Sequence, residues 1–173
     1  MSVLRKNLVM EVRVIDKFLN PYQFKQLQSI LMADDFPWFF NGEGLSRTGD
    51  GRYQFIHGFH MYGRVHSEYY SIWEPILKKL GVNRVRRIKA NLNHRTVFHR
   101  NGGWHCDFEE EPLPHAKTSI FYMNTNNGYT RFKKGGKIKC VENRMVIFPS
   151  DLEHSGFSCT DEQRKVVVNF NYE

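Results

Sequence analysis

The sequence predicts a mainly β fold of the sandwich or jelly-roll type, with helices from its first half supporting one sheet. From about Val85 onward, short β-runs alternate with turn residues, a rhythm typical of small antiparallel barrels. Before that point, two segments carry apolar residues at helical spacing. With 173 residues, the chain suits one domain spanning 1–173, in which about 1–84 is helical support and about 85–173 is the β-core.

Two helices are expected in the first half. The first begins after Asn20 with Pro21, since proline fits the first turn of a helix. Its apolar face consists of Phe24, Leu27, Ile30 and Leu31. The second begins after Ser67 and ends at Gly81, and Pro75 is expected to kink it. Its apolar face consists of Tyr70, Trp73, Ile76, Leu77 and Leu80. Between the helices, 52–62 is rich in aromatic residues and predicts one or two strands.

Short strands are predicted throughout the second half. They cover 86–93, 97–99, 104–108, 117–124, 137–141, 145–148 and 164–172. Turn sequences such as Asn101-Gly102-Gly103 and Asn126-Asn127-Gly128 separate them. A small barrel of this kind lets side chains from distant strands converge on an interior cavity, while the helices pack against one outer sheet.

Composition narrows the function without identifying it. The formal net charge of +7 could attract nucleic acid or an acidic polypeptide. The basic residues are scattered, however, and clusters such as 84–89 and 131–139 are interpreted as solvated strand edges and turns. Three widely spaced cysteines fit neither a disulfide framework nor a zinc knuckle, so a reducing cytoplasm is the expected compartment. No apolar stretch is long enough for a membrane span, and no signal peptide is recognisable.

His105 and Asp107 are the strongest candidates for a metal site. They lie two residues apart, so on a strand both side chains leave the same face. The later His154 completes a set of two imidazoles and one carboxylate, the facial triad of non-haem Fe(II) oxygenases, which leaves coordination positions open for cosubstrate and dioxygen. The spacing alone is weak, because the chain has 8 His. Trp104 and Phe108 beside the pair nevertheless predict a partly buried strand, where unpartnered ionisable groups would be costly.

Arg164 is the candidate anion-binding residue. In the predicted strand 164–172 it shares a face with Val166, Val168 and Phe170. An arginine at the end of an inward apolar face is costly unless it meets an anion. Arg164 is therefore expected to bind a carboxylate through its planar guanidinium. The alternative is that Arg164 curls into solvent at the start of the strand.

These residues resemble the 2-oxoglutarate- and Fe(II)-dependent oxygenases, and within them the prolyl 4-hydroxylase-like group. The resemblance covers roughly 87–172. The segment KTSIFYMNTNNGYTRF (117–132) is similar to the family's strand that ends in Tyr-Leu-Asn and continues into a Gly-Gly-x-Thr turn. The segment NRMVIFPSDLEHSGF (143–157) is similar to its Gly-x-Leu-x-Phe-x-x-x-x-x-His strand. The fold that this resemblance implies is a double-stranded β-helix with supporting N-terminal helices.

The resemblance also implies roles for individual residues. His105, Asp107 and His154 would be the iron ligands, and Arg164, ten residues beyond His154, would bind the distal carboxylate of 2-oxoglutarate. Tyr122 and Thr118 would help through their hydroxyl groups. Many relatives have a tyrosine on the strand before the first histidine. Here that stretch reads Asn91-Leu92-Asn93, and which asparagine, if either, takes the tyrosine's place stays open.

The resemblance implies an enzyme that uses Fe(II), 2-oxoglutarate and dioxygen to hydroxylate a C–H bond. A peptidyl residue, with proline as the first candidate, is the expected substrate, and a peptide or protein is the expected partner. The alternatives are a nucleobase-oxidising enzyme on the same scaffold, favoured by the positive charge and by aromatic residues that could stack on bases, and a non-enzymatic basic binding module. The aromatic, glycine-rich segment 36–62 is either a mobile lid over the substrate or plain core packing.

Overall fold

The computed structural model describes residues 12–42, 53–107 and 115–173. Helix α1 spans Pro21–Leu31, a 3-10 helix spans Glu68–Trp73, and helix α2 spans Glu74–Leu80. The strands, in chain order from β1 to β11, are Arg13–Ile15, Phe39–Asn41, Gln54–Met61, Arg64–Val65, Val85–His94, Lys117–Tyr122, Tyr129–Phe132, Lys137–Lys139, Arg144–Pro149, His154–Phe157 and Arg164–Tyr172. None of the helices in these parts of the chain is long and apolar enough to cross a membrane.

Both helical segments form as predicted, with one correction at Pro75. The Asn20 side chain accepts from the Gln23 backbone N–H, which caps α1, and Pro21 occupies its first turn. Pro75 does not kink a continuous helix. It lies in the first turn of α2, directly after the 3-10 helix, where the missing N–H of proline is not needed. Gly81 ends α2 in the left-handed conformation, as the sequence predicts.

The strands form two sheets. The larger has the order β1-β9-β6-β11-β5-β3-β2, with β4 added to β3, and the smaller has the order β10-β7-β8. Neighbouring strands of the larger sheet are antiparallel along this whole path. Strand β11 lies in the middle, between β5 and β6. The smaller sheet covers one face of the larger one, and the space between them holds the cavity described below.

The two faces of the larger sheet bury different sets of side chains. One face packs against the helices through an extensive apolar cluster that includes Phe24, Leu31, Trp73, Val166 and Phe170. The other face meets the smaller sheet through a smaller cluster of Ile120, Tyr122, Phe132, Cys140, Val146, Phe148 and Val167. The jelly-roll prediction with supporting helices is therefore confirmed.

Several strand predictions need correction. The segment 97–99 is not a strand, and in 104–107 only His105 makes a bridge, to His154; Phe108 lies outside the described residues. The sequence missed β1, β2, β4, β7 and β10, which are short. The first half is also more than helical support, because β1 pairs with β9 and β3 pairs with β5 in the central sheet.

Asn143 ties the helical layer to the larger sheet. Its backbone adopts φ 60°, which asparagine tolerates better than most residues. Its side-chain Oδ1 accepts from the Leu19 backbone N–H at 2.9 Å, and its Nδ2 donates to the Leu19 carbonyl at 2.8 Å. The Asn143 backbone N–H donates to the Tyr122 carbonyl at 3.0 Å. One residue thus fixes the segment before α1 to the end of β6.

We expect Asn143→Ala to lower the free energy of unfolding by about 2–3 kcal/mol, since it removes two buried hydrogen bonds and alanine tolerates positive φ less well than asparagine does. Asn143→Gly tolerates the same φ and should lose less, about 1–2 kcal/mol. Urea unfolding followed by circular dichroism measures both. Equal stabilities for the two variants would show that the backbone conformation contributes nothing.

Candidate metal centre and cavity

The two candidate histidines lie side by side between the sheets. His154 begins β10, and the backbones of His105 and His154 exchange hydrogen bonds of 3.1 and 3.0 Å. Their ring centroids are 4.5 Å apart. Asp107 lies beside them, and one ligand atom from each of the three residues falls within 4.8 Å of the others. The structure therefore brings His105, Asp107 and His154 into one group that could hold a metal ion.

Hydrogen bonds fix which nitrogen of each imidazole is available. His105 Nδ1 lies 3.1 Å from the Gly103 carbonyl, and His154 Nδ1 lies 2.9 Å from the Leu152 carbonyl. A carbonyl only accepts, so each Nδ1 carries the proton, and each Nε2 keeps a lone pair. Such outer partners orient metal-binding imidazoles and set their tautomer. Both rings are thus prepared to offer Nε2 to a cation.

Asp107 is held in a closed ring of hydrogen bonds. Its Oδ1 accepts from Arg87 Nη2 at 2.5 Å, and its Oδ2 accepts from Thr118 Oγ1 at 2.5 Å. Asn171 completes the ring, because its Oδ1 accepts from Arg87 Nε at 2.8 Å and its Nδ2 donates to Thr118 Oγ1 at 2.9 Å. The ring joins the loop of Asp107 to β5, β6 and β11. This "carboxylate ring" fixes both oxygens of Asp107.

The electrostatics of the group suit a divalent cation. Burial alone would raise the pKa of Asp107, but the positive charge of the Arg87 guanidinium and the hydrogen bond from the Thr118 hydroxyl help to hold it below its ordinary value. Burial lowers the pKa of His154, against the opposing pull of the Asp107 carboxylate. The carboxylate is therefore ionised and His154 is neutral, which are the protonation states that metal ligands need.

One cavity connects this group to the opposite end of the barrel. Its lining includes His105 and His154 at one end and Lys165 at the other, with Ile120, Val167 and Thr130 between them. It also extends across the larger sheet. The remaining lining residues are Tyr53, Gln54, Asn91, Asn93, His94, Thr96, Arg100, Asn101, Gly102, Gly156, Phe157, Ser158 and Asn169.

Arg164 does not line the cavity, although the sequence predicts that it faces inward. Its Nη2 donates to the Met32 carbonyl at 2.6 Å, beyond the end of α1 on the helical side of the sheet. Val166 and Phe170, which share its face, also pack in the helical cluster rather than along the cavity. The apolar face of β11 is thus directed at the helices, and its polar face is directed at the cavity. The sequence interpretation assumed the reverse.

Lys165, one residue further along, occupies the position predicted for Arg164. Its side chain is 2% exposed and lines the cavity. Its Nζ donates to the Phe157 carbonyl at 2.8 Å and to the Tyr129 carbonyl at 3.2 Å. Among the described residues, no carboxylate pairs with it. A buried ammonium that has only neutral partners is costly, and an anionic ligand would offset that cost.

Tyr122 and Thr118 lie near the cavity without lining it. The Tyr122 hydroxyl is fully buried and donates to Thr130 Oγ1 at 2.7 Å, and burial raises its pKa. Tyr122 therefore supports Thr130, which does line the cavity. Thr118 belongs to the carboxylate ring and contacts Asp107 instead. Neither residue lines the cavity, whereas the resemblance implies that their hydroxyl groups contact the cosubstrate.

Both asparagines of the Asn91-Leu92-Asn93 stretch line the cavity, because they alternate with Leu92 on β5. Sequence reasoning missed Gln54 and Asn169 and assigned Arg87 and Lys89 to solvated edges. Strand parity could have indicated Arg87, Lys89 and Asn169. Residues 87, 89, 91 and 93 share one face of β5, and residues 165, 167, 169 and 171 share one face of β11. The polar face of each strand is the one directed at the site.

Comparisons with known proteins agree with this architecture. No protein-family model and no curated protein matches the sequence. Solved structures do match, including a 2OG-Fe(II) oxygenase family protein from Burkholderia pseudomallei, with 9% identity, TM-score 0.67, and 93% of this chain and 84% of that chain covered.

The viral collagen prolyl hydroxylase vCPH from Paramecium bursaria Chlorella virus-1, in a 2OG complex, matches with 13% identity and TM-score 0.58 over 93% of this chain and 94% of that chain. The non-haem alpha-ketoglutarate-dependent carbocyclase SnoK from nogalamycin biosynthesis matches with 9% identity and TM-score 0.64 over 94% and 78%. At these identities the likeness establishes the fold. The chain therefore has the double-stranded β-helix fold of the 2-oxoglutarate- and Fe(II)-dependent oxygenases.

Lys89 is a second buried cation of this region, 8% exposed on β5. Burial and the neighbouring positive charge of Arg87 lower its pKa to about 8, while the Asp107 carboxylate acts in the opposite direction. In an unfolded chain the lysine pKa is about 10.4. Because the unfolded state binds the proton more tightly, Lys89 destabilises the fold below pH 8, and this penalty fades as the pH rises toward 10.

We therefore expect Lys89→Met to raise the free energy of unfolding at pH 7 by about 1–3 kcal/mol, and this gain should shrink toward zero near pH 10. Urea unfolding of metal-free protein at both pH values measures it. Lys78→Met, on the exposed face of α2, is the control and should give no pH-dependent difference. A gain that grows with pH would contradict the lowered pKa.

Proposed function

We propose that this chain is a 2-oxoglutarate- and Fe(II)-dependent dioxygenase that hydroxylates a peptidyl residue, with proline as the first candidate. The observation that carries the proposal is one cavity lined by His105 and His154 of the His-Asp-His group and by Lys165, a buried lysine that pairs with no carboxylate among the described residues. A cosubstrate with an anionic tail and a metal-chelating head requires both ends. A non-enzymatic binding module has no use for this pairing.

Fe(II) fits the three residues that the structure brings together. Two imidazoles and one carboxylate are the ligand set that suits this ion, and they leave positions open for cosubstrate and dioxygen. The carboxylate ring keeps Asp107 ionised, and the Gly103 and Leu152 carbonyls direct both Nε2 atoms toward the ion. The cavity beside them is also lined by Lys165, Thr130, Ile120 and Val167.

2-Oxoglutarate fits the arm of the cavity that runs from the group of His105, Asp107 and His154, called the metal group below, to Lys165. The Lys165 ammonium would bind the distal carboxylate in a charge-assisted pair, and the Thr130 hydroxyl, oriented by Tyr122, would add a hydrogen bond. Ile120 and Val167 line this arm and exclude water from the cosubstrate chain. Iron and 2-oxoglutarate together supply the activation of dioxygen for C–H hydroxylation, with succinate and carbon dioxide as coproducts.

A peptide substrate is supported by the fold likeness to vCPH, whose name describes a collagen prolyl hydroxylase. The same fold also occurs in the carbocyclase SnoK, so the fold alone does not select the substrate. Proline-containing peptides are the first substrates to test. Succinate formation and a mass gain of one oxygen on the peptide are the two readouts.

We expect His105→Ala and His154→Ala each to weaken iron binding by more than about 100-fold, since a direct ligand matters at least as much as its outer partners. Asp107→Asn should act similarly while keeping the hydrogen-bonded shape of the ring. Anaerobic Fe(II) titration and circular dichroism test binding and folding separately. His66→Ala, on an exposed position, is the control. Wild-type iron affinity in any of the three variants would refute the triad.

We expect Lys165→Met to weaken 2-oxoglutarate binding by about 10- to 100-fold and to leave iron binding nearly unchanged, because it removes one charge-assisted pair. Lys165→Arg should recover part of the loss. Arg164→Met is the matched control and should change the affinity less than about threefold, since its side chain lies on the other face of the sheet. Anaerobic calorimetry would contradict the assignment if Arg164→Met showed the larger loss.

A further inference from the structure

We infer that Gln54, Asn91 and Asn169 form a row of carboxamides that binds the backbone of an extended peptide substrate. This inference deepens the proposed function and rests on it. It assigns the peptide to a line of residues across β11, β5 and β3, whereas the cosubstrate is assigned to the direction of Lys165 along β11. It also defines what the enzyme recognises: the repeating N–H and C=O groups of a peptide chain around the residue to be oxidised.

All three residues of the carboxamide row have a buried polar atom without a partner among the described residues. The atoms are Gln54 Nε2, Asn91 Oδ1 and Asn169 Oδ1. The side chains are 3%, 3% and 7% exposed, and all three line the cavity that also contains His105 and His154. Leaving buried donors and acceptors unpaired is costly, and native proteins rarely do so. A ligand that supplies both donors and acceptors would satisfy them.

Strand register arranges the row along a diagonal. Ile56, Asn91 and Val167 lie directly opposite one another on β3, β5 and β11. Gln54 precedes Ile56 by two residues, and Asn169 follows Val167 by two. Because β3 and β11 are both antiparallel to β5, these two steps point in opposite directions along the sheet. With ordinary strand spacing and rise, the row is about 16 Å long, the length of about five extended residues.

The row runs from the metal group to the surface. Asn169 pairs in register with Ile120, and the next inward residue of β11 is Asn171, a member of the carboxylate ring around Asp107. At the other end, Gln54 follows Tyr53, whose ring stacks on His94 at 4.9 Å and is partly exposed. Lys165 lies away from this line, opposite Asn93. A chain along the row would place one residue near the metal and its neighbours toward solvent.

The chemistry of the row favours a polypeptide over a nucleic acid. Carboxamides are neutral and offer both donors and acceptors, which matches the peptide group. A nucleic-acid strand carries a charge on each nucleotide and would require lysines or arginines along its path. A single ring, whether nucleobase or prolyl, is much shorter than the row. The prolyl ring itself offers no hydrogen bond, so the row would bind the peptide groups that flank it.

The test uses a fluorescein-labelled pool of ten-residue peptides with a central proline and randomised flanks, titrated with the metal-free protein by anisotropy. A second pool is identical except for N-methylated backbone amides in the flanks. We expect the first pool to bind at least about fivefold more tightly than the second, since N-methylation removes the donors and obstructs the acceptors. Equal binding of the two pools, or no binding of the first, would overturn the inference.

Variants then assign the effect to the row. Asn91→Leu and Gln54→Leu should each weaken binding of the first pool about five- to tenfold. In the iron-loaded enzyme they should raise KM for the pool by a larger factor than KM for 2-oxoglutarate. Asn91→Gln should recover part of the binding, and Gln26→Leu, on the exposed face of α1, is the matched control. An equal rise in KM for 2-oxoglutarate would assign the row to the cosubstrate and overturn the inference.

A randomised single-stranded oligonucleotide completes the experiment. Tight oligonucleotide binding that depends on Asn91, with no peptide binding, would overturn the inference in favour of nucleic acid. A different result would refute the proposed function, namely the absence of Fe(II)- and 2-oxoglutarate-dependent succinate formation. Because anisotropy requires neither metal nor turnover, the two failures are distinguishable.

Discussion

The candidate site depends on keeping one buried carboxylate ionised. Asp107 has a side chain that is 1% exposed, and a lone carboxylate in that position would take up a proton and lose its value as a metal ligand. Arg87 and Thr118 prevent this, and Asn171 holds both of them. Since these partners lie on three adjacent strands, the ring forms only when β5, β6 and β11 are in correct register. Fold and site chemistry are therefore coupled at a single network.

The residue types of the metal group could be predicted from the sequence, because the His-x-Asp spacing and a later histidine carry specific chemistry. Which residue of β11 faces the cavity could not be predicted correctly. In β11 the apolar residues Val166, Val168 and Phe170 were taken as the inward face, which selected Arg164. The helices also bury an apolar face, and here they cover that one. Both faces of this sheet are buried, and only the three-dimensional packing determines which face lines the site.

The elements of the fold were also predicted only in part. Helices with clear apolar faces and the long strand 164–172 were predicted with accurate bounds, since many residues contribute to each pattern. Short strands were missed, because β1 and β10 have only three and four residues and are defined by their partners rather than by their own periodicity. His154 illustrates this point. It begins β10 and pairs with His105, a contact between residues far apart in sequence. The segment 43–52, central to the lid hypothesis, lies outside the described residues.

The central place of β11 has a consequence for how the protein is made. Strands β5 and β6 are each paired with β11 but not with one another. During synthesis on the ribosome, both are complete well before residues 164–172 emerge. Until then each presents an open edge, and the partners of Asp107 have no common scaffold. The carboxylate ring therefore forms late in biogenesis, and an incomplete chain that stalls before β11 would expose two unpaired edges to chaperones or to aggregation.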